Sequence, residues 1–167
     1  MPLYDYSSPN YYFVTICIKN RECLFGEIIN NKIKLSEIGK IVKNHWYKLT
    51  DYCKNIKLDE FMVMPNHLHG IILICEPNNV LGKSCRGGVT PPLPLSNKIT
   101  LGNIVAYYKY QSTKQINLLT NAPGQMVWQR NYYEHIIRNE RELEKIRQYI
   151  ISNSYNWEKD RNNPINI

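Results

Sequence analysis

No run of apolar residues in this chain approaches the ~20 that a membrane-spanning helix requires. Met1 to Asn10 has neither the charged start nor the apolar middle of a signal peptide. No membrane partner is expected, and a cytosolic location is. Cysteine is scarce and odd in number: the five residues Cys17, Cys23, Cys53, Cys75 and Cys85 show no C-x-x-C spacing. That pattern argues against a disulfide framework and against a zinc ribbon, and leaves reduced, partly buried thiols. Acidic side chains are also short, 14 against 21 Lys and Arg, for a net charge of +7. A polyanionic partner fits this excess but is not required by it.

What the chain has in quantity is aromatic surface. Its 13 tyrosines and 3 tryptophans are interleaved with Lys, Arg, Asn and Gln, the mixture that stacks unpaired bases and neutralises their phosphates. At 167 residues and 43% hydrophobic composition, it can bury one core, so residues 1–167 are expected to form one domain. Residues 76–98 hold seven prolines and glycines, including Pro77, Gly87 and Pro94, with no periodicity, and read as a long flexible loop. Beyond Trp157 the Asn-, Lys- and Arg-rich tail reads as loose.

Between these stretches the pattern alternates strand and helix. Tyr11 to Ile18 is dense in β-branched and aromatic residues. Leu24 to Ile29 and Lys32 to Leu35 form an extended pair around Asn30-Asn31, whose side chains tolerate positive φ. Ser36 caps a helix carrying Ile38, Ile41, Val42, Trp46 and Leu49, expected to end near Thr50. His45 on this helix reads as structural. Ile56 to Val63 and Gly70 to Cys75 read as antiparallel strands turning at Pro65-Asn66. Thr100 caps a helix to about Leu119, with Leu101, Ile104, Val105, Tyr108 and Ile116 as its apolar stripe. Its polar side shows Tyr107, Lys109, Tyr110 and Lys114; with Arg130 in the short extended stretch that follows, these are the candidate nucleic-acid contacts. Asn139 with Glu142 resembles a capping box for a last helix running to about Asn153.

The chemistry-bearing stretch is Met64-Pro65-Asn66-His67-Leu68-His69-Gly70. On a strand, alternation sends both imidazoles to one face and Leu68 to the other, which makes half of a divalent-metal site. On the last helix Tyr149 and Asn153 stand four apart, on one side. Asn153 offers a neutral oxygen, so His67, His69 and Asn153 can hold one Mg²⁺ or Mn²⁺ ion with Tyr149 beside it as nucleophile. A phenol is a poor nucleophile at neutral pH without such help. A divalent ion polarises the phosphate and stabilises the leaving 3′ oxygen. Tyr107 with Gln111 has the same spacing, so Tyr107 and Tyr110 stay open as alternative nucleophiles. His135 reads as packing on Tyr132.

The His67-Leu68-His69 block resembles the histidine–hydrophobe–histidine motif of HUH single-tyrosine transposases. The segment from Val127 to Glu140, followed by Arg147-Gln148-Tyr149-Ile150-Ile151-Ser152-Asn153, is similar to the C-terminal signature of their REP-associated tyrosine transposase branch. The resemblance covers about Tyr11 to Trp157 and implies an α+β fold, a ferredoxin-like antiparallel sheet with helices packed on it. It implies Mg²⁺ or Mn²⁺ as cofactor, and single-stranded DNA, hairpin-flanked, cleaved through a 5′-phosphotyrosine at Tyr149. His67, His69 and Asn153 become the metal ligands, and a homodimer is one arrangement open to such proteins. Relatives continue the helix end as Asn-Pro; here Ser154 follows Asn153, leaving the helix free to run on. The competing reading is a domesticated, non-cleaving binder of structured single-stranded DNA.

Overall fold

The computed structural model describes residues 5–76 and 99–166. Strand β1 (Asn10–Cys17) is followed by a hairpin, β2 (Gly26–Ile29) and β3 (Lys32–Leu35), then by helix α1 (Glu37–Tyr47) and the short α2 (Leu49–Tyr52). Strands β4 (Ile56–Val63) and β5 (His67–Ile74), helix α3 (Leu101–Leu119), strand β6 (Tyr133–Ile137) and helix α4 (Glu140–Ser152) complete the regular elements. The main sheet is antiparallel in the order β4-β5-β1-β6, the ferredoxin-like arrangement, and β2-β3 form a separate ribbon.

Local chemistry explains most of the boundaries. Asn30 and Asn31 both take positive φ, as a two-residue hairpin turn requires. The Ser36 side chain accepts from Gly39 N–H, and Thr100 with Asn103 completes a capping box. Asn139 accepts from Glu142 N–H at 2.9 Å, but the Glu142 carboxylate reaches past the cap to Arg138 N–H at 2.8 Å and His135 Nε2 at 2.7 Å. His135 is thus paired with Glu142. Tyr132 to Arg138, to which the pattern assigns no element, supplies edge strand β6.

Alternation along the strands divides the molecule into two cores. Behind the sheet, Val14, Ile16, Leu68 and Ile72 meet Val42 and Trp46 of α1 and Ile104, Val105 and Tyr108 of α3. In front, Phe13, Ile71 and Ile137 meet Leu143 and Ile150 of α4. Gly70, on the rear face, allows the Trp46 indole to lie where a Cβ would stand. His67 and His69 fall on the front face, under α4.

Two expectations about loops meet different fates. Residues 77–98, within the expected loop, lie outside the described residues. The tail after Trp157 is packed rather than loose: Asp160, Asn162 and Asn163 are buried, and 3-10 turns span Asn153–Lys159 and Pro164–Asn166. Side-chain amides tie it down, Asn66 Nδ2 donating to Asn162 O at 2.7 Å and Asn166 Nδ2 to Asp160 O at 2.9 Å. Composition missed this because each of these bonds is made to backbone carbonyls that only the folded chain presents.

Candidate metal and nucleophile site

The turn that precedes β5 already orients its first imidazole. Asn66 spends its Nδ2 on the carbonyls of Arg21 (3.0 Å) and Asn162 (2.7 Å), so its Oδ1 must be the atom facing His67 Nδ1 at 2.8 Å. An amide oxygen only accepts, which places the His67 proton on Nδ1 and the lone pair on Nε2. One pleat further on, His69 Nδ1 meets Thr15 Oγ1 of the neighbouring strand at 2.9 Å. Both Nε2 atoms therefore point into the same space, 3.0 Å apart. Phe13 stacks on His69 with ring centroids 5.5 Å apart, holding it in place from the side.

Both imidazoles are buried, and burial pushes their basicity down, His67 to about 3. They are neutral at physiological pH, the form that ligates a metal. Asp160 Oδ2 stands 3.8 Å from His67 Nε2, and His67, His69 and Asp160 form a group able to hold an ion. The donors fit a divalent cation on three counts: outer nitrogens tied to orienting partners, inner nitrogens aimed at one point, and a carboxylate beside them. The 3.0 Å separation also matches two adjacent ligands of an octahedral ion with bonds of about 2.1 Å.

Helix α4 brings the nucleophile candidate. Tyr149 Oη lies 3.3 Å from His69 Nε2, and its ring is 46% exposed. Burial of its inner part, with Asp160 nearby, pushes the phenol pKa up, while a hydrogen bond with the Asn153 side chain pulls it down. Asn153 is 2% exposed, and its buried Oδ1 has no hydrogen-bond partner among the described residues. The α-helix ends at Ser152; Asn153 keeps helical dihedrals and opens a 3-10 turn, so it lies against Tyr149 as the four-residue spacing requires.

The structure thus brings together His67, His69, Tyr149 and Asn153. It adds Asp160, which the sequence reading placed in a solvated tail. The other tyrosines go elsewhere: Tyr107 and Tyr110 lie on α3, whose apolar stripe packs on the opposite side of the sheet, and Tyr107 stacks on Tyr52 at 3.5 Å between centroids. Lys109 donates to the carbonyls of Gln129 (2.8 Å) and Asn131 (3.0 Å), and desolvation lowers its pKa to about 8. Tyr110 and Lys109 line an open groove with Thr113, Met126 and Gln129, while Lys114 and Arg130 are exposed. Tyr107, Lys109, Tyr110 and Lys114 thus stand on the helix behind the sheet, whereas the histidines face its front. His45 donates to Gln115 Oε1 at 2.6 Å, consistent with a structural role. No helix of the described residues is long and apolar enough to cross a membrane.

Known proteins offer two points of comparison. An uncharacterized protein of Haemophilus influenzae Rd is 43% identical over 163 residues, spanning 95% of this chain and 87% of its own length. The solved structure of a REP-associated tyrosine transposase bound to a REP hairpin superposes with a TM-score of 0.59 at 17% identity, over 88% of this chain and 67% of that one. No family model matches the chain.

Proposed function

We propose, for a chain that belongs to one family with the Haemophilus influenzae protein and has the fold of a REP-associated tyrosine transposase, metal-dependent cleavage and strand transfer of single-stranded DNA. The observation that carries this reading is the position of Tyr149 Oη, 3.3 Å from His69 Nε2 at the mouth of a buried two-histidine cluster. A structural tyrosine has no need of that address. His67, His69 and Asp160 would hold Mg²⁺ or Mn²⁺, with the Asn153 Oδ1, unpaired among the described residues, as the further neutral donor. When bound, the ion polarises the scissile phosphate and stabilises the departing oxygen.

The chain's own residues do the rest. Tyr149 Oη attacks phosphorus, the P–O3′ bond breaks, the phenol proton is lost and the 3′ oxygen takes one up. The product is a phosphotyrosine ester on the 5′ side, which a later 3′-hydroxyl can attack in reverse without ATP. Asn153 hydrogen-bonds the Tyr149 oxygen and so favours the phenolate. Asn66 and Thr15 keep the imidazoles oriented. Tyr110, Lys114 and Arg130, with Tyr107 and Lys109 behind them, form a second basic and aromatic surface, which we assign to DNA outside the cleavage site.

Labelled hairpin-flanked single-stranded DNA incubated with the protein and Mn²⁺, then denatured, tests the reading. A covalent protein–DNA band that Tyr149→Phe abolishes is expected. Cleavage without a covalent band would instead mean water as nucleophile, and retention without cleavage would mean a binder.

A further inference from the structure

Beside the nucleophile lies an aromatic surface that the cleavage step does not use. Tyr133 sits on edge strand β6, opposite Thr15 in register, and its side chain falls on the same face of the sheet as His69. Half of it is exposed, at 50%. Phe13 connects it to the site: its ring meets Tyr133 edge-on at 6.2 Å, Tyr149 edge-on at 6.1 Å and His69 in a stack at 5.5 Å. The Arg161 guanidinium stands over the Tyr133 ring, 5.7 Å from its centroid. Arg161 directly follows Asp160, and its backbone carbonyl accepts from Arg21 at 3.2 Å, so the residue is anchored while its side chain is exposed.

An exposed aromatic face with a cation over it, one ring contact from a phosphate-attacking oxygen, is what a nucleotide needs. Bases of any sequence stack on such a face, and an adjacent guanidinium takes the phosphate in a fork. Pure packing does not account for the pair: Phe13 already covers the sheet at this point, and the cation–π contact of the Arg161 side chain is of the kind worth little at an exposed site. We propose that Tyr133 and Arg161 form the subsite for a nucleotide adjoining the scissile phosphate, its base stacked on the Tyr133 ring and its phosphate on the Arg161 guanidinium. The guanidinium swings off the ring to admit the base. This subsite rests on the cleavage reading for its geometry, but its occupancy can be read without cleavage.

The test uses the full-length Tyr149→Phe protein in EDTA and single-stranded hairpin oligonucleotides with 2-aminopurine placed singly at each position flanking the hairpin. Quenching at one position is expected, kept by Tyr133→Phe, lost in Tyr133→Leu, and accompanied there by roughly tenfold weaker binding. Arg161→Gln should weaken binding several-fold and reduce the slope of log K against log salt by about one. Thermal melting of each variant confirms folding. Quenching that survives Tyr133→Leu, or that appears at no position, overturns the subsite. Tyr133-dependent quenching, combined with no covalent adduct from the Tyr149-intact protein in Mn²⁺, supports the subsite while defeating the cleavage reading.

Discussion

Arg147 grips Asp59 at both ends of its guanidinium, Nε to Oδ1 at 2.9 Å and Nη2 to Oδ2 at 2.7 Å. Asp59 lies in the irregularity of β4 between Leu58 and Phe61, and Arg147 is two residues before Tyr149 on α4. The fork therefore ties the tyrosine helix to the edge of the sheet whose next strand carries the histidines. Arg147→Lys keeps the charge and loses the second bond. It should cost about 1 kcal/mol in urea denaturation, since the pair is only partly shielded from water. Single-turnover cleavage at saturating DNA should fall further than DNA affinity does, because α4 then positions Tyr149 less well.

The same pair gives a pH signature. Arg147 holds the Asp59 carboxyl below the usual carboxylate range, so the folded group is the stronger acid. Its stabilisation is complete above about pH 4, the unfolded value, and is lost as pH falls through the depressed folded value. Urea midpoints of the parent and of Asp59→Asn should differ at pH 7, differ equally at pH 5 and converge in stronger acid.

His67 acts over a different window. Its folded pKa of about 3 lies below the unfolded value near 6.5, so the unfolded chain binds the extra proton between the two. In chelator, stability should fall as pH drops from 6.5, by about 1.4 kcal/mol per unit for this group. His67→Gln should flatten the slope; an unchanged slope in that variant would place the acid sensitivity elsewhere.

Asp160 is expected to matter most for the ion. Asp160→Asn removes the one carboxylate of the cluster and should weaken Mn²⁺ binding, followed by paramagnetic resonance of the free ion, by tenfold or more. Binding of metal-free protein to the hairpin oligonucleotide should change little.

Where the determinants were local, the sequence displayed them. Ser36, Thr100 and Asn139 announce helix starts through side chains that reach only three residues. Asn30-Asn31 announces the hairpin through its dihedral tolerance. The face shared by His67 and His69 follows from strand alternation, and the alignment of Tyr149 with Asn153 from helical pitch. Asp160 could not be found this way, because its place depends on Asn66 holding the Asn162 carbonyl 96 residues along the chain. Nor could the fates of Tyr107 and Lys109 be seen, since a half-polar helix face looks alike whether it meets solvent, another ring or a loop carbonyl. The partner of His135 is hidden for a similar reason: Glu142 lies across a strand-to-helix corner.

The glycine that closes the histidine motif faces away from the site, yet it fixes where the imidazoles stand. Trp46 fills the space that a side chain at position 70 would need, so the strand is keyed to the rear helix at the residue next to His69. The histidine strand is in this sense a blade whose depth is set from its back. Gly70→Ala alone should drive the strand forward, destabilise the fold and spoil ion binding. Combined with Trp46→Leu, it should recover part of both losses, revealing a coupling between two residues on the rear side of the sheet.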